Sequence, residues 1–116
     1  MSKEITLYHN PRCSKSRQAL ALLIENAEEI TVVEYLKQPP TANELRRLIK
    51  LLGIRAHDIV RTKEPEYQDA GLSPASDDSE VIAAISKHPK LLQRPIAVCG
   101  SKAVIGRPPE NVLEIV

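Results

Sequence analysis

The sequence predicts an α/β fold in which a mixed sheet is built from an opening β-α-β unit and a closing β-β-α unit, with a mainly helical insertion at about 40–92 between them. Three observations carry this. Short β-branched or alternating runs stand at residues 5–8, 31–36, 95–98 and 103–105. Apolar residues follow helical spacing after Cys13 and again after Thr41. The stretch between the second and third strands carries cap signals and helical repeats. The 116 residues suit one compact domain, 1–116.

Ile5-Thr-Leu-Tyr8 alternates and stops at His9-Asn10-Pro11, which predicts a short strand and a turn. Leu20, Leu23, Ile24 and Ala27 then mark one face of a helix that starts at or near Cys13. Thr31 to Leu36 is β-branched and aromatic, and the following Pro39 and Pro40 cannot continue a ladder. Thr41-Ala-Asn-Glu44 has capping-box spacing ahead of Leu45, Leu48, Ile49 and Leu52, and Gly53 supplies the stop. Ala56 to Thr62 reads as a short helix and Lys63 to Ser76 as loop. Asp77 can cap a further helix carrying Val81, Ile82 and Ile85, broken at Pro89. Pro95 to Val98 and Ala103 to Ile105 form a hairpin about Gly100-Ser-Lys102. A last helix begins at Pro108 and Pro109 and turns Val112, Leu113 and Val116 to the core. This element order suggests the thioredoxin-like layout, a string that other α/β folds also produce, so the motifs must decide.

Composition removes several functions. With 16 Lys+Arg against 15 Asp+Glu, the net charge of +1 offers no broad basic surface, and three Tyr without Phe or Trp offer no stacking platform, so no nucleic-acid partner is expected. No stretch approaches the ~18 apolar residues of a membrane span, and no leader is evident, so a cytoplasmic protein without a membrane partner is expected. Cys13 and Cys99 lie far apart, which suits a reducing compartment. With His9, His57 and His88 they show no ligand spacing, and no metal is expected. No spare apolar face argues for anything but a monomer.

Chemistry concentrates around Cys13. It is delivered by a strand-loop-helix junction to a helix N-terminus, among Arg12, Lys15 and Arg17 and close to His9, and each of these features favours thiolate over thiol. Backbone N–H groups at the same end can hold an oxyanion. Cys13-Ser14-Lys15-Ser16 is C-x-x-S, so no second local sulfur can close a disulfide and an external thiol must resolve any adduct. Position 19 is Ala, which removes the Cys and Arg spacing of a cysteine phosphatase. Ser16 can hydrogen-bond the thiolate or, equally, the backbone. Cys99 reads as a structural strand residue.

His9-Asn10-Pro11-Arg12-Cys13-Ser14-Lys15-Ser16-Arg17, Arg94-Pro95 and Ile105-Gly-Arg-Pro-Pro-Glu110 together resemble the glutaredoxin-coupled arsenate reductase family, in its short arsenate-reductase-like branch. The resemblance spans nearly the whole chain and implies a thioredoxin-like fold. It implies Cys13 as nucleophile and Arg61, Arg94 and Arg107 as the three arginines around the oxyanion. Guanidinium groups stay charged and present forked donors that suit a tetrahedral anion. It also implies a cis junction at Arg94-Pro95 beside the cysteine, and a thiolate-tuning histidine at His9. Asn10, Arg12, Ser14, Lys15, Ser16, Arg17 and Pro95 complete the expected site. No bound cofactor is implied; arsenate or a related oxyanion is the substrate, glutathione the co-substrate and glutaredoxin the protein partner.

Arg12 and Lys15 depart from the family, whose better-characterised reductases tend to carry small or uncharged residues there, which bears on the substrate more than on the thiolate chemistry. Two other activities fit the same layout. One is an Spx-type regulator that binds RNA polymerase, whose sensor is a C-x-x-C pair that Ser16 interrupts here. The other is a glutathione-linked thiol transferase, which needs Cys13 but not Arg107.

Overall fold

A computed structural model describes residues 4–27 and 29–116. Two compact units emerge: the first combines the N-terminal segment to Gln38 with Arg94–Val116, and the second is Pro39–Gln93. The first unit is the sheet. Its strands are β1 (Glu4–His9), β2 (Glu29–Glu34), β3 (Ile96–Cys99) and β4 (Lys102–Ile105), in the order β2-β1-β3-β4. β1 runs parallel to β2 and antiparallel to β3, and β3 is antiparallel to β4, so the sheet is mixed.

Helix α1 (Ser14–Asn26) connects the parallel pair, the connection that parallel strands require. Alternation along β1 turns Ile5 and Leu7 into an apolar cluster with Ala19 and Leu23 of α1, Ala97 of β3, and Val112 and Ile115 from the C-terminus. His9 continues the same alternation and is 6% exposed. The buried stripe of α1 is Ser16, Ala19 and Leu23, while Ile24, expected on the core face, is 64% exposed. The i, i+3, i+7 spacing of the small Ser16 and Ala19 with Leu23 lets the helix lie close to the sheet, which rotates Ile24 outward.

Other expectations need correction. β2 begins and ends two residues earlier than the β-branched run, because its register with β1 closes at His9↔Glu34 and the chain then turns, Lys37 and Gln38 both donating to Glu34 O at 2.9 Å. The C-terminal segment Pro109–Ile115 is a 3-10 helix. At three residues per turn, Pro109, Val112 and Ile115 share the buried face, and Leu113 and Val116 are turned out at 36% and 39% exposure.

The second unit is helical. Helix α2 (Ala42–Leu52) opens with a reciprocal capping box, Glu44 N–H donating to Thr41 Oγ1 and Thr41 N–H to Glu44 Oε1, and closes at Gly53 with φ 69°. A 3-10 turn covers Ala56–Ile59. The segment expected to be loop contains the short helix α3 (Pro65–Asp69), with Pro65 at the first position, where a missing N–H removes no bond. Helix α4 (Asp78–Lys87) is capped by Asp77, which accepts from Glu80 N–H at 2.8 Å, and buries Val81, Ile82, Ala84 and Ile85. A second 3-10 turn, Pro89–Leu91, returns the chain towards the sheet unit's sequence.

Candidate active site

Cys13 is the N-cap of α1, half-buried and free. The turn before it is closed by its own N–H donating to Asn10 O at 3.0 Å, and Asn10 Oδ1 accepts from Arg12 N–H at 3.0 Å, an Asx turn that fixes the loop from within. Arg17 reaches back from the first helical turn and donates through Nη1 to Pro11 O at 2.9 Å. The first helical hydrogen bond is Arg17 N–H to Cys13 O at 3.0 Å, which leaves the amides of Ser14, Lys15 and Ser16 without a carbonyl of their own helix. That helix end carries no acidic residue in its first turn, and Arg12, Ser14 and Lys15 are exposed around it. The arrangement presents backbone donors and positive charge beside a sulfur.

The other side comes from the closing hairpin. The Arg94–Pro95 peptide is cis, as is Arg107–Pro108. Gly106 N–H donates to Pro95 O at 2.8 Å, and a Cβ built on Gly106 would sit 2.8 Å from Pro95 Cγ and 3.0 Å from Val112 Cγ1. The glycine therefore lets the chain after β4 lie directly on Pro95. Arg107 follows immediately: its Nε donates to Arg94 O at 2.7 Å, and its Nη2 stands 3.8 Å from Cys13 Sγ. Asn111 braces the same turn, donating through Nδ2 to Arg107 O at 3.2 Å and Ile105 O at 3.4 Å. Arg94 is half-buried, and its Nε and Nη1 are buried without a hydrogen-bond partner. A cation with idle donors is costly to leave desolvated, and an oxyanion is the group that would satisfy it.

Beneath the loop, Ser16 Oγ is fully buried, lies 2.6 Å from His9 Nδ1 and accepts from Asn10 N–H at 3.0 Å. Its hydrogen bonds thus go to His9 and the backbone and not to the Cys13 sulfur. Burial, the dominant influence, pushes His9 below the ordinary histidine range; Glu34 opposes that shift and Arg17 adds to it.

The structure thus gathers Cys13, Arg107, Arg94, Pro95, Arg12, Ser14, Lys15, Arg17, Asn10, His9 and Ser16 in the sheet unit. Arg61 belongs to the helical unit, where its Nη1 pairs with Glu64 Oε1 at 2.7 Å and its amide donates to Leu91 O at 2.7 Å. Gly106 and Asn111 are supporting residues that sequence reasoning missed; a glycine wedged between a strand and an arginine was the available signal. Cys99 is half-buried against the apolar cluster. Among the described residues, no group of three or more His, Cys, Asp or Glu is placed to hold a metal ion, and no helix is long and apolar enough to cross a membrane.

Known proteins are similar to this chain in sequence and in fold. An uncharacterized protein of Escherichia coli strain K12, YfgD, is 51% identical over all of this chain and 99% of its own length. An arsenate reductase of Neisseria meningitidis serogroup A is 45% identical over 94% of this chain and 95% of its own. The solved structure of an arsenate reductase from Vibrio cholerae superposes with a TM-score of 0.94 at 42% identity, covering 100% of both chains. The fold is thioredoxin-like. The ArsC family model matches residues 8–115, from the last residues of β1 to the C-terminal 3-10 helix, and the chain belongs to the ArsC family.

Proposed function

We propose that this chain is a glutathione- and glutaredoxin-dependent arsenate reductase in which Cys13 is the nucleophile. The observation that carries the reading is Arg107 Nη2 at 3.8 Å from Cys13 Sγ, with the guanidinium held by its own Nε on Arg94 O. A fixed cation beside sulfur stabilises the thiolate and also offsets the repulsion between that thiolate and an anionic substrate. The idle Nε and Nη1 of Arg94 and the first amides of α1 supply further donors for a tetrahedral oxyanion.

The proposed sequence begins with attack of Cys13 Sγ on arsenic(V), with one arsenate oxygen leaving as water. Glutathione then adds to the thiol-arsenate adduct, displacing a second oxygen as water. A glutaredoxin thiolate then attacks the arsenic-bound glutathione sulfur, forming the glutaredoxin–glutathione disulfide while the arsenic–sulfur electron pair stays on arsenic as arsenic(III); water cleaves the remaining Cys13–arsenic bond, releasing arsenite and the free thiol. C-x-x-S at Cys13–Ser16 supports the dependence on outside thiols, because no second local sulfur is available. Arg61 enters as the third oxyanion arginine on the family motif, and Arg12 and Lys15 as peripheral positive charge that draws in anions. Two free cysteines suit the reducing, cytoplasmic setting that this chemistry requires.

The test is arsenate-dependent NADPH oxidation with glutathione, glutaredoxin and glutathione reductase. Wild type turns over and Cys13→Ser loses at least about 10³-fold in rate. Arsenate reduction retained in Cys13→Ser, or no turnover by folded wild type, would overturn the proposal.

A further inference from the structure

We infer that Asn111 is a positioning residue for Arg107, tying down the backbone under that side chain so that the guanidinium is kept beside the Cys13 sulfur. The inference rests on the proposed reading of Arg107 as the cation next to the nucleophile, and it adds the group that keeps it there. Arg107 is exposed, and a long side chain in solvent samples many rotamers unless both of its ends are tied. The far end is tied by its own Nε, which donates to Arg94 O at 2.7 Å. The near end is the backbone from Ile105 to Arg107, where the chain leaves β4.

That backbone is short of donors. Arg107 N–H donates to Ile105 O at 2.9 Å, a three-residue turn centred on Gly106. The next two residues, Pro108 and Pro109, have no N–H, so neither can close a helical bond on Ile105 O. The amide of Asn111, which an α-helix would give to Arg107 O, goes to Pro108 O at 3.0 Å. Asn111 makes up the deficit through its side chain: Nδ2 carries two hydrogens and stands 3.2 Å from Arg107 O and 3.4 Å from Ile105 O. Both partners are carbonyl oxygens, which only accept, so the amide nitrogen and not the amide oxygen faces them. The brace has a firm base, because the neighbouring Val112 is fully buried in the apolar cluster. Asn111 thus acts on the sulfur only through the arginine whose backbone it holds.

A double-mutant cycle separates this role from general support of the fold, because a residue that works through Arg107 has nothing to act on once the guanidinium is gone. The readout is the rate of Cys13 alkylation by iodoacetamide as a function of pH, in a Cys99→Ser background. Arg107→Ala slows the reaction at neutral pH by about tenfold and Asn111→Ala by about threefold, both with pH profiles displaced upward. The two substitutions combined match Arg107→Ala alone. A wild-type rate in Asn111→Ala, or further slowing when Asn111→Ala is added to Arg107→Ala, would overturn the inference and leave the part of Arg107 in the proposed function standing. A wild-type rate in Arg107→Ala would remove that part, and the inference with it. Should Asn111→Ala not fold, Asn111→Leu, which keeps the bulk of the side chain without its donors, takes its place in the cycle with the same expected results and the same refutations. No arsenate enters the assay, so absence of arsenate reduction would count against the proposed function and not against this brace.

Discussion

Cys13 and Cys99 are both free and half-buried, and both lie in the sheet unit, yet the molecule treats them differently. Cys99 ends β3, opposite Lys102 across the hairpin, and packs against the cluster of Ile5, Leu7, Ala19, Leu23 and Ala97. Cys13 caps a helix whose first amides are open, has Arg107 Nη2 at 3.8 Å, and sits on a turn fixed by Asn10, Ser16 and Arg17. Half-burial of both thiols is therefore compatible with unlike surroundings. What separates the two is whether neighbouring groups stabilise an anion or only fill space.

The comparison breaks most sharply at Arg107. Arg107→Ala removes the guanidinium that stands 3.8 Å from Cys13 Sγ and the tie to Arg94 O, and arsenate turnover falls by about 10²-fold, read in the coupled NADPH assay. Arg107→Lys restores charge without the fork, and recovers only part of this loss. Unchanged arsenate turnover in Arg107→Ala would show that the guanidinium beside the sulfur is not needed and would erase the contrast between the two cysteines.

A smaller effect comes from beneath the arginine. Gly106→Ala places a methyl 2.8 Å from Cγ of the Pro95 ring and 3.0 Å from Val112 Cγ1, so the packing around the turn that carries Arg107 must shift. The expected cost is about 1–3 kcal/mol of stability in denaturant unfolding, with a fall in Cys13 alkylation and little change at Cys99. Equal slowing at both thiols would mean general loosening of the sheet unit and would erase the contrast.

The smallest effect is a pH dependence. Burial lowers His9 from the model-compound value of 6.5, so on acidification the unfolded chain takes up this proton before the folded one does. Wild-type stability consequently declines as pH falls from about 6.5 towards the folded group's own titration, and is recovered as pH rises. His9→Asn lacks this component. Thermal unfolding across that range should show a shallower decline in the variant than in wild type, and parallel curves would contradict this effect of burial on His9.

Sequence patterns sufficed where the physics is local. Thr41 and Glu44 spell a capping box that needs no tertiary partner, and Gly53 supplies the left-handed stop. They failed where neighbours decide. The C-terminal segment reads as an α-helix by its apolar residues, but winding at three per turn exchanges Leu113 and Val116 for Ile115 in the core. Ile24 was misplaced because small residues, Ser16 and Ala19, and not the largest apolar ones, set the face of α1 that meets the sheet. Cys13 and its basic neighbours were legible because they are contiguous, and Arg94 and Arg107 through the family motif. The pairing of Ser16 with His9 was hidden, since a serine seven residues along says nothing about which side of a strand faces which turn of a helix. Gly106 and Asn111 were silent for the same reason, their partners being Pro95, Ile105 and Arg107 in a folded turn.

The most direct test of the contrast is competitive labelling of the wild-type chain with less than one equivalent of iodoacetamide per thiol, with and without arsenate, read by peptide mass spectrometry. The account predicts label on Cys13 well ahead of Cys99, slowed by arsenate at Cys13 alone. Equal labelling of the two cysteines, or Cys99 labelled first, would contradict it.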